Sequence, residues 1–548
     1  LKPFWLTART AARGGHCRRQ PQRAPMDAGA AAEAPAAGLA VGSEVHAFYH
    51  ANEHPEGYRF GRVFERTRDF PVVGLTSGWL PATVVGEAEP DAFAEGGARV
   101  RVFFPGTFRH PHEGYCEGQD LSLPVSLVRP LGEGEPPRPL LSILALRWHD
   151  YWSNATWSDY CVTNDGMLLD LFDGPCSVYE RLPGEYEVLT VFVRRTDDLE
   201  RIDPERLRAR LKGQNVTVWY FLWPTVRREA HSRPGCVCER GFFRLCQRME
   251  RAALRSGWPH ESHLYRQLCG KLWVPQMSLN RDFRVPPTTR VHYAEFKLRP
   301  RQAAARALDC LLRLRRRIWG GRPAAPEAFR GVAKLGFSWQ GDDVLPFRGL
   351  DSLVASLGRL FEQQHSEQTV CLVQEMVPGV FAEHRVLAFY DGCRRCFHRE
   401  RLWLRMKDRG RHHMHRCDVG EFSLASSSVV PQEQVAGELF AGDAEAQAEA
   451  EEQAQRLVDR WLLWFSTESP EPPQVTRLDF LAARSTHGSA AAVWTCEVGE
   501  CGASLCSLEV DARNAASLNA AVLHDCAGGG RFPMPLPEAL PRNRGWKS

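Results

Sequence analysis

Four groups of residues in the C-terminal half have the types, and the order along the chain, that handling a nucleotide polyphosphate requires. Lys334 ends the apolar run Gly331-Val-Ala-Lys334, and the segment after it contains Gly336, Ser338 and Gly341. A lysine point charge beside backbone N–H groups in a flexible hairpin can hold phosphate oxygens. Gln374-Glu375-Met376-Val377 directly follows an apolar strand, where an extended backbone offers donors and acceptors to the edge of an adenine. Glu383 then has the chemistry to accept from ribose hydroxyls, and Arg385, two residues on and so on the same strand face, can reach a phosphate. The acidic residues come last: Asp479 in Thr476-Arg477-Leu478-Asp479, then Glu497 and Glu500 in Glu497-Val-Gly-Glu500. Carboxylate oxygens suit Mg²⁺, which normally bridges nucleotide phosphates, and paired strands would bring Asp479 and Glu497 together across a ladder. Taken in isolation, the Asp479 and Glu497 pair also admits the plainer reading of a structural ion pair with Arg477 or Arg484.

The order of these groups resembles the ATP-grasp superfamily, in which two α+β subdomains clamp ATP. The resemblance covers roughly residues 320–525. It implies an ATP- and Mg-dependent ligase that activates a carboxylate as an acyl phosphate for attack by an amine or thiol. It also implies that Lys334, Gln374, Glu375, Val377 and Glu383 bind the nucleotide, together with Lys271, which matches the family's earlier ATP-contacting lysine in what reads as a helix. Arg385 and Arg477 would then be catalytic, and Asp479, Glu497 and Glu500 would hold metal. One departure is plain: the family's last metal motif is usually Glu-x-Asn, and here Gly499 stands at the Asn position. That substitution motivates an alternative, a catalytically impaired nucleotide-binding scaffold.

These residues need elements to position them. The chain has 548 residues, with 69 Lys+Arg against 66 Asp+Glu, and at ~150 residues per domain it should hold about three or four domains. A single small module is excluded. Whole-chain disorder is excluded by 16 Trp and 28 Phe, which supply ample buriable apolar surface. The near-neutral balance of charge favours neither nucleic acid nor a membrane surface as the main partner, and no run reaches the length of a membrane span. Seventeen cysteines without regular spacing read as reduced thiols, hence a cytoplasmic protein.

The expected fold is a multidomain α+β chain. Residues 1–42 read as an Arg-rich then Ala/Gly-rich leader, with translation beginning at Met26 as the simplest account of the start. Residues 43–130 alternate in short strands and resemble a small SH3- or Tudor-like β-barrel, which implies a module for a protein partner. Tyr49, Tyr58, Trp79, Phe103 and Tyr115 either line an exposed aromatic cage in it or fill its core. Residues 138–315 read as an open α/β domain, with helices at 240–257, around 262–274 and at 301–318. Residues 320–525 carry the two-lobed clamp, and 526–548 form a tail.

Other signals are weaker. Cys393-x-x-Cys396 with His398, His412, His413, His415 and Cys417 has zinc-ligand types, but Cys393 and Cys396 would fall on opposite faces of one strand. Cys236 with Cys238, and Cys496 with Cys501 and Cys506, read as thiols. The basic run Arg313 to Arg317 reads as a solvated helix end.

Overall fold

In the computed structural model the described residues are 39–50, 62–63, 70–90, 97–110, 114–148, 171, 176–226, 235–320, 325–337, 343–362, 369–391, 394–406, 427–469, 473–484, 491–499 and 512–526. They form a mixed α/β structure built on several sheets.

The N-terminal strands are β1 (Glu44–His50), β2 (Val72–Val84), β3 (Ala98–His110), β4 (Gly114–Pro124) and β5 (Val128–Pro130). They run β4-β3-β2-β1-β5, all antiparallel. The alternation read from the sequence has its physical counterpart in a shared core of Val45, Ala47, Leu80, Ala82, Val100, Val102 and Leu123, every second residue of each strand. Strand β2 is long enough to serve two partners. Its second half pairs with β1, and its first half, Val72–Ser77, pairs with β7 (Tyr186–Val193) of the next unit. The N-terminal strands therefore continue the α/β sheet.

That sheet also contains β6 (Leu141–Trp148), β8 (Asn215–Tyr220) and β9 (Arg255–Trp258), parallel in the order β9-β8-β6-β7. All eight residues of β6 are buried, as the continuous apolar run of a parallel strand covered on both faces demands. Helix α1 (Glu239–Arg251) stops earlier than its sequence suggests: residues 255–257, expected to be its last turn, lie in strand β9. Ala253 adopts a positive φ of 56°, which breaks the helix and turns the chain into the sheet.

Two smaller sheets follow. In the first, β10 (Thr288–His292), β11 (Arg330–Leu335), β12 (Val344–Arg348) and β13 (Val370–Glu375) lie in the antiparallel order β10-β13-β11-β12. Helices α3 (Pro300–Leu314) and α4 (Gly349–Glu362) cover one face of this sheet, burying Ala304, Leu308 and Leu311 beside Leu353 and Leu357. In the second, β14 (Val380–Asp391), β15 (Cys396–Met406), β16 (Ser427–Val430), β17 (Val475–Arg484) and β18 (Ala491–Gly499) lie in the order β16-β15-β14-β17-β18. Helix α5 (Ala444–Glu468) covers it. Asp443 caps the helix by accepting from the Ala446 N–H at 2.9 Å. Ala450, Ala454, Val458, Trp461 and Phe465, at near-fourfold spacing, are buried against the sheet.

A last helix, α6 (Ala512–Cys526), has no counterpart in the sequence expectations. Its apolar residues Leu518, Ala521 and Val522 pack with Trp219, Phe221, Leu387 and Phe389, tying the parallel sheet to β14. No helix among the described residues is long and apolar enough to cross a membrane.

Candidate nucleotide site

The uncovered faces of the two smaller sheets look at each other, and nearly all the residues singled out above lie between them. On the first sheet, alternation along β11 sends Ala333 and Leu335 to the helix-covered core and Val332 and Lys334 to the cleft. The Lys334 side chain is buried, and its Nζ donates to Gln374 Oε1 at 3.0 Å. Gln374 Nε2 in turn donates to Thr288 Oγ1 at 2.8 Å. Three neighbouring strands thus fix one ammonium. Burial, with Lys271 nearby, lowers the Lys334 pKa to about 8.

Lys271 reaches the cleft by a different route from the one its sequence suggests. The helix α2 (Ser262–Cys269) ends before it, and Lys271 stands in the following turn at φ 53°. That turn is held against the end of β11: the Phe337 N–H donates to the Cys269 carbonyl at 2.7 Å. A Cβ on Gly336 would lie 2.2 Å from the Gly270 carbonyl oxygen, so only glycine allows the two backbones to approach this closely. Gly336→Ala is expected to cost about 1–3 kcal/mol, as overpacking does. The cost would be read as a lowered thermal midpoint, together with weaker phosphate binding as the two lysines move apart.

On the second sheet the register does the assembling. Arg385 lies opposite Asp479, and Asp479 opposite Glu497. Arg477 grips Asp479 with two bonds, Nη2 to Oδ2 at 2.8 Å and Nε to Oδ1 at 3.0 Å. Arg385 Nε donates to Glu383 Oε1 at 2.6 Å and lies 3.8 Å from Asp479 Oδ1. Glu497 is 3.4 Å from Lys271 Nζ and 3.7 Å from Arg477 Nη2, which joins the two sheets electrostatically. Burial pushes the Asp479 carboxyl upward, opposed by Arg477 and Arg385. At Glu497 burial acts in the same upward sense, but Lys271, Arg477 and Lys334 together overcome it and hold the carboxyl down at about 2.

The sequence could not show a bulge in β18. The register slips between Asp479 and Phe480, so the adjacent residues Cys496 and Glu497 both belong to the cleft while Val498 enters the core. Strict alternation would have lost one of them. Burial pushes the Cys496 thiol up, so it stays protonated. Gly499 lies opposite Arg477 and presents no side-chain oxygen. Glu500 lies outside the described residues, as do Ser338 and Gly341.

One end of the cleft is apolar. Val332, Met376, Val377, Val380, Leu481 and Ala483 form a cluster drawn from both sheets, with Trp494 and Cys496 against it. Glu375 marks the crossing from one sheet to the other. Its Oε1 pairs with Arg315 at 3.0 Å, and burial raises its carboxyl to about 7 against that arginine.

No protein-family model matches the chain, and no curated protein does. Among solved structures it is similar to D-alanyl-alanine synthetase A from Vibrio cholerae, at 12% identity over 71% of this chain and 99% of that one, with a TM-score of 0.40. It is similar to the VanG D-Ala:D-Ser ligase from Enterococcus faecalis at 11% identity over 66% and 90%, with a TM-score of 0.38. N5-carboxyaminoimidazole synthetase from Staphylococcus aureus, a complex with ADP, gives 10% over 72% and 79%, with a TM-score of 0.35. These likenesses are remote and carry no functional argument; the geometry of the cleft does.

That geometry brings together Lys271, Lys334, Gln374, Glu375, Val377, Glu383, Arg385, Arg477, Asp479 and Glu497. The sequence reading missed Thr288, which orients Gln374, and Arg315, Trp319 and Trp494 at the apolar end. None of these lies in a spaced motif, and no periodicity marks them.

The aromatic cage has no support from the three candidates that can be placed. Tyr49 is in the core, edge-on to Phe104 at 5.2 Å, and Trp79 donates Nε1–H to the Gly184 carbonyl at 2.8 Å. Small strands bury their rings before they can display them. Phe103 is half-buried, and the side chains of Tyr58 and Tyr115 lie outside the described residues. So does Cys393 of the zinc candidate; Cys396 is exposed, and His398 faces Asp391 at 3.3 Å.

The Lys334 ammonium should make phosphate binding pH-dependent. In the unfolded chain a lysine keeps its proton to about pH 10.4, whereas in the folded protein it begins to lose it near 8. Over that interval the unfolded state binds more protons, so this residue's contribution to stability rises with pH, while its hold on phosphate falls. Tripolyphosphate affinity measured at pH 7 and pH 9 is expected to drop in the parent protein and to be low and flat in Lys334→Met.

Proposed function

We propose that the chain is an ATP-grasp ligase, joining a carboxylate to an amine or thiol at the expense of ATP. The observation that carries this reading is the arrangement in one cleft of two lysines, two arginines and a facing carboxylate pair beside an apolar end. Together they suit a triphosphate at one end and a base at the other.

In this reading Lys271 and Lys334 hold phosphate oxygens, the adenine edge meets the backbone around Val377, past the Glu375 and Met376 N–H groups that donate to the Pro287 and Arg330 carbonyls, and Glu383 accepts from the ribose. An oxygen of the substrate carboxylate attacks the γ-phosphorus, the bond from that phosphorus to the bridging oxygen breaks, and ADP leaves. The amine nitrogen or thiol sulfur then attacks the acyl carbon, inorganic phosphate leaves, and the nucleophile loses its proton. Arg385 and Arg477 stabilise the negative charge that the transferring phosphoryl group presents, so catalysis is positioning and electrostatics.

Asp479 and Glu497 fit a magnesium ion of the phosphate-bridging kind. They are hard oxygen donors opposite one another, Glu497 is 36% exposed to the cleft, and no group of three His, Cys, Asp or Glu residues among the described ones forms an all-protein cage. Such an ion would neutralise phosphate charge.

The test is direct. ATP with Mg²⁺ should raise the thermal midpoint, and ADP or phosphate should be released when candidate amino and hydroxy acids are supplied with an amine. The absence of thermal protection by ATP would sink the proposal. The scaffold alternative is favoured by Gly499 and by the two-bond grip of Arg477 on Asp479; nucleotide binding without turnover, unchanged in Asp479→Asn, would select it.

A further inference from the structure

Helix α3 does not end as an α-helix. After Leu314 the chain winds into a π-turn, Arg315–Trp319, closed by Gly320 at φ 68°. Turns of this kind are rare, and single ones inside helices concentrate at functional sites. No residue of this one is buried, so core packing does not account for it. The turn instead reaches two residues of the cleft's apolar end. Arg315 Nη1 pairs with Glu375 Oε1 at 3.0 Å. Trp319, four residues on, packs against Trp494 of β18 with ring centroids 4.7 Å apart and planes tilted at 43°. Trp494 packs against the cluster of Val332, Met376 and Leu481, and the Arg284 guanidinium lies 5.4 Å over its ring.

Two polar atoms in this corner are shut away from water without a hydrogen-bonding partner: Trp319 Nε1 and Glu375 Oε2. An indole N–H can only donate, and a carboxylate oxygen accepts. A buried donor or acceptor left unsatisfied is costly, and such atoms beside an apolar floor call for a ligand that is flat, apolar on its faces and polar at its edge. A purine base is such a ligand.

We propose that Trp319, held in place by the Arg315–Glu375 pair, is the outer aromatic wall of the base end of this cleft and sets a preference for purine over base-free polyphosphates. This rests on the nucleotide reading above, and adds to it a specificity residue supplied by a helix end outside the two facing sheets.

The experiment is calorimetric titration of the full chain with ATP and, separately, with tripolyphosphate, which lacks the base. Loss of an aromatic stacking partner weakens base binding by about tenfold. Trp319→Ala is therefore expected to weaken ATP about tenfold and to leave tripolyphosphate unchanged, because Lys271 and Lys334 are untouched. Trp319→Phe, which keeps a ring, is expected to retain most of the ATP affinity. ATP affinity unchanged in Trp319→Ala overturns the proposal, as does a Phe variant as weak as the Ala variant. Tighter ATP binding in Trp319→Ala also overturns it, and shows the turn to be a cover that the base must displace. If the parent protein binds tripolyphosphate but not ATP, this inference fails while the phosphate site stands; if it binds neither, the ligase reading itself fails.

Discussion

Glu497→Gln is expected to lower ATP-dependent ligation by roughly 10²–10³-fold, the loss seen when one preorganised charge-stabilising group is removed from a reacting centre. The substitution keeps shape and removes only charge. Glu497 is the carboxylate that reaches the open cleft, and it links β17 to the turn held against β11, with Lys271 Nζ at 3.4 Å and Arg477 Nη2 at 3.7 Å. Its ionised state is secured well below neutral pH by those cations. Gln at this position can neither neutralise the cations nor offer a charged oxygen to a magnesium ion. The measurement is ADP release under saturating ATP, with the thermal midpoint as a control on folding. Activity within a few-fold of the parent would remove Glu497 from the reacting centre and turn attention to the scaffold alternative.

The second large effect is on stability. Asp479 is 2% exposed, and its two oxygens are held by Arg477. Arg477→Met is expected to cost about 3–5 kcal/mol, because removing one partner leaves the other a buried charge offset only by Arg385 at 3.8 Å. The pH dependence identifies the cause. Burial already pushes the Asp479 carboxyl above its ordinary value, and without Arg477 it rises further. A carboxyl with a raised folded pKa binds more protons folded than unfolded, so its favourable contribution is present in acid and is lost as pH rises through the folded pKa. The penalty of Arg477→Met should therefore be smaller near pH 4 than at pH 7. A double variant, Arg477→Met with Asp479→Leu, should recover much of the loss, since a matched apolar pair can replace a buried ion pair. A penalty independent of pH, with no recovery in the double variant, would show that packing rather than charge is at issue.

Much of the cleft is legible in the sequence because its residues lie on strands, where period-two alternation assigns each side chain to a face. Lys334 on β11, the pair Glu383 and Arg385 on β14, and Arg477 with Asp479 on β17 each follow from that rule. The same rule failed where geometry departs from the ideal. The bulge at Cys496 places consecutive residues in one cleft, and the positive φ at Lys271 carries it out of a helix that its sequence would continue. Helix α1 was read too long because Ala253 and Leu254 look helical in composition, while the sheet beside them claims the next residues as a strand. Arg315 reads as part of a solvated helix end and Trp319 carries no signal of its own, since nothing local reports that Glu375 and Trp494 stand opposite.

By itself the sequence determined most of the element types, the faces of the regular strands and the inventory of charged groups, because these depend on local periodicity and on chemistry carried within a few residues. Only the tertiary structure decided which charges neutralise which, that Lys271 meets Glu497 across two sheets, that β2 joins the N-terminal strands to the parallel sheet, and that a helix end closes the base side of the cleft. Those outcomes depend on register and close approach between segments far apart in the chain, and a single slip of one residue would reverse every face involved.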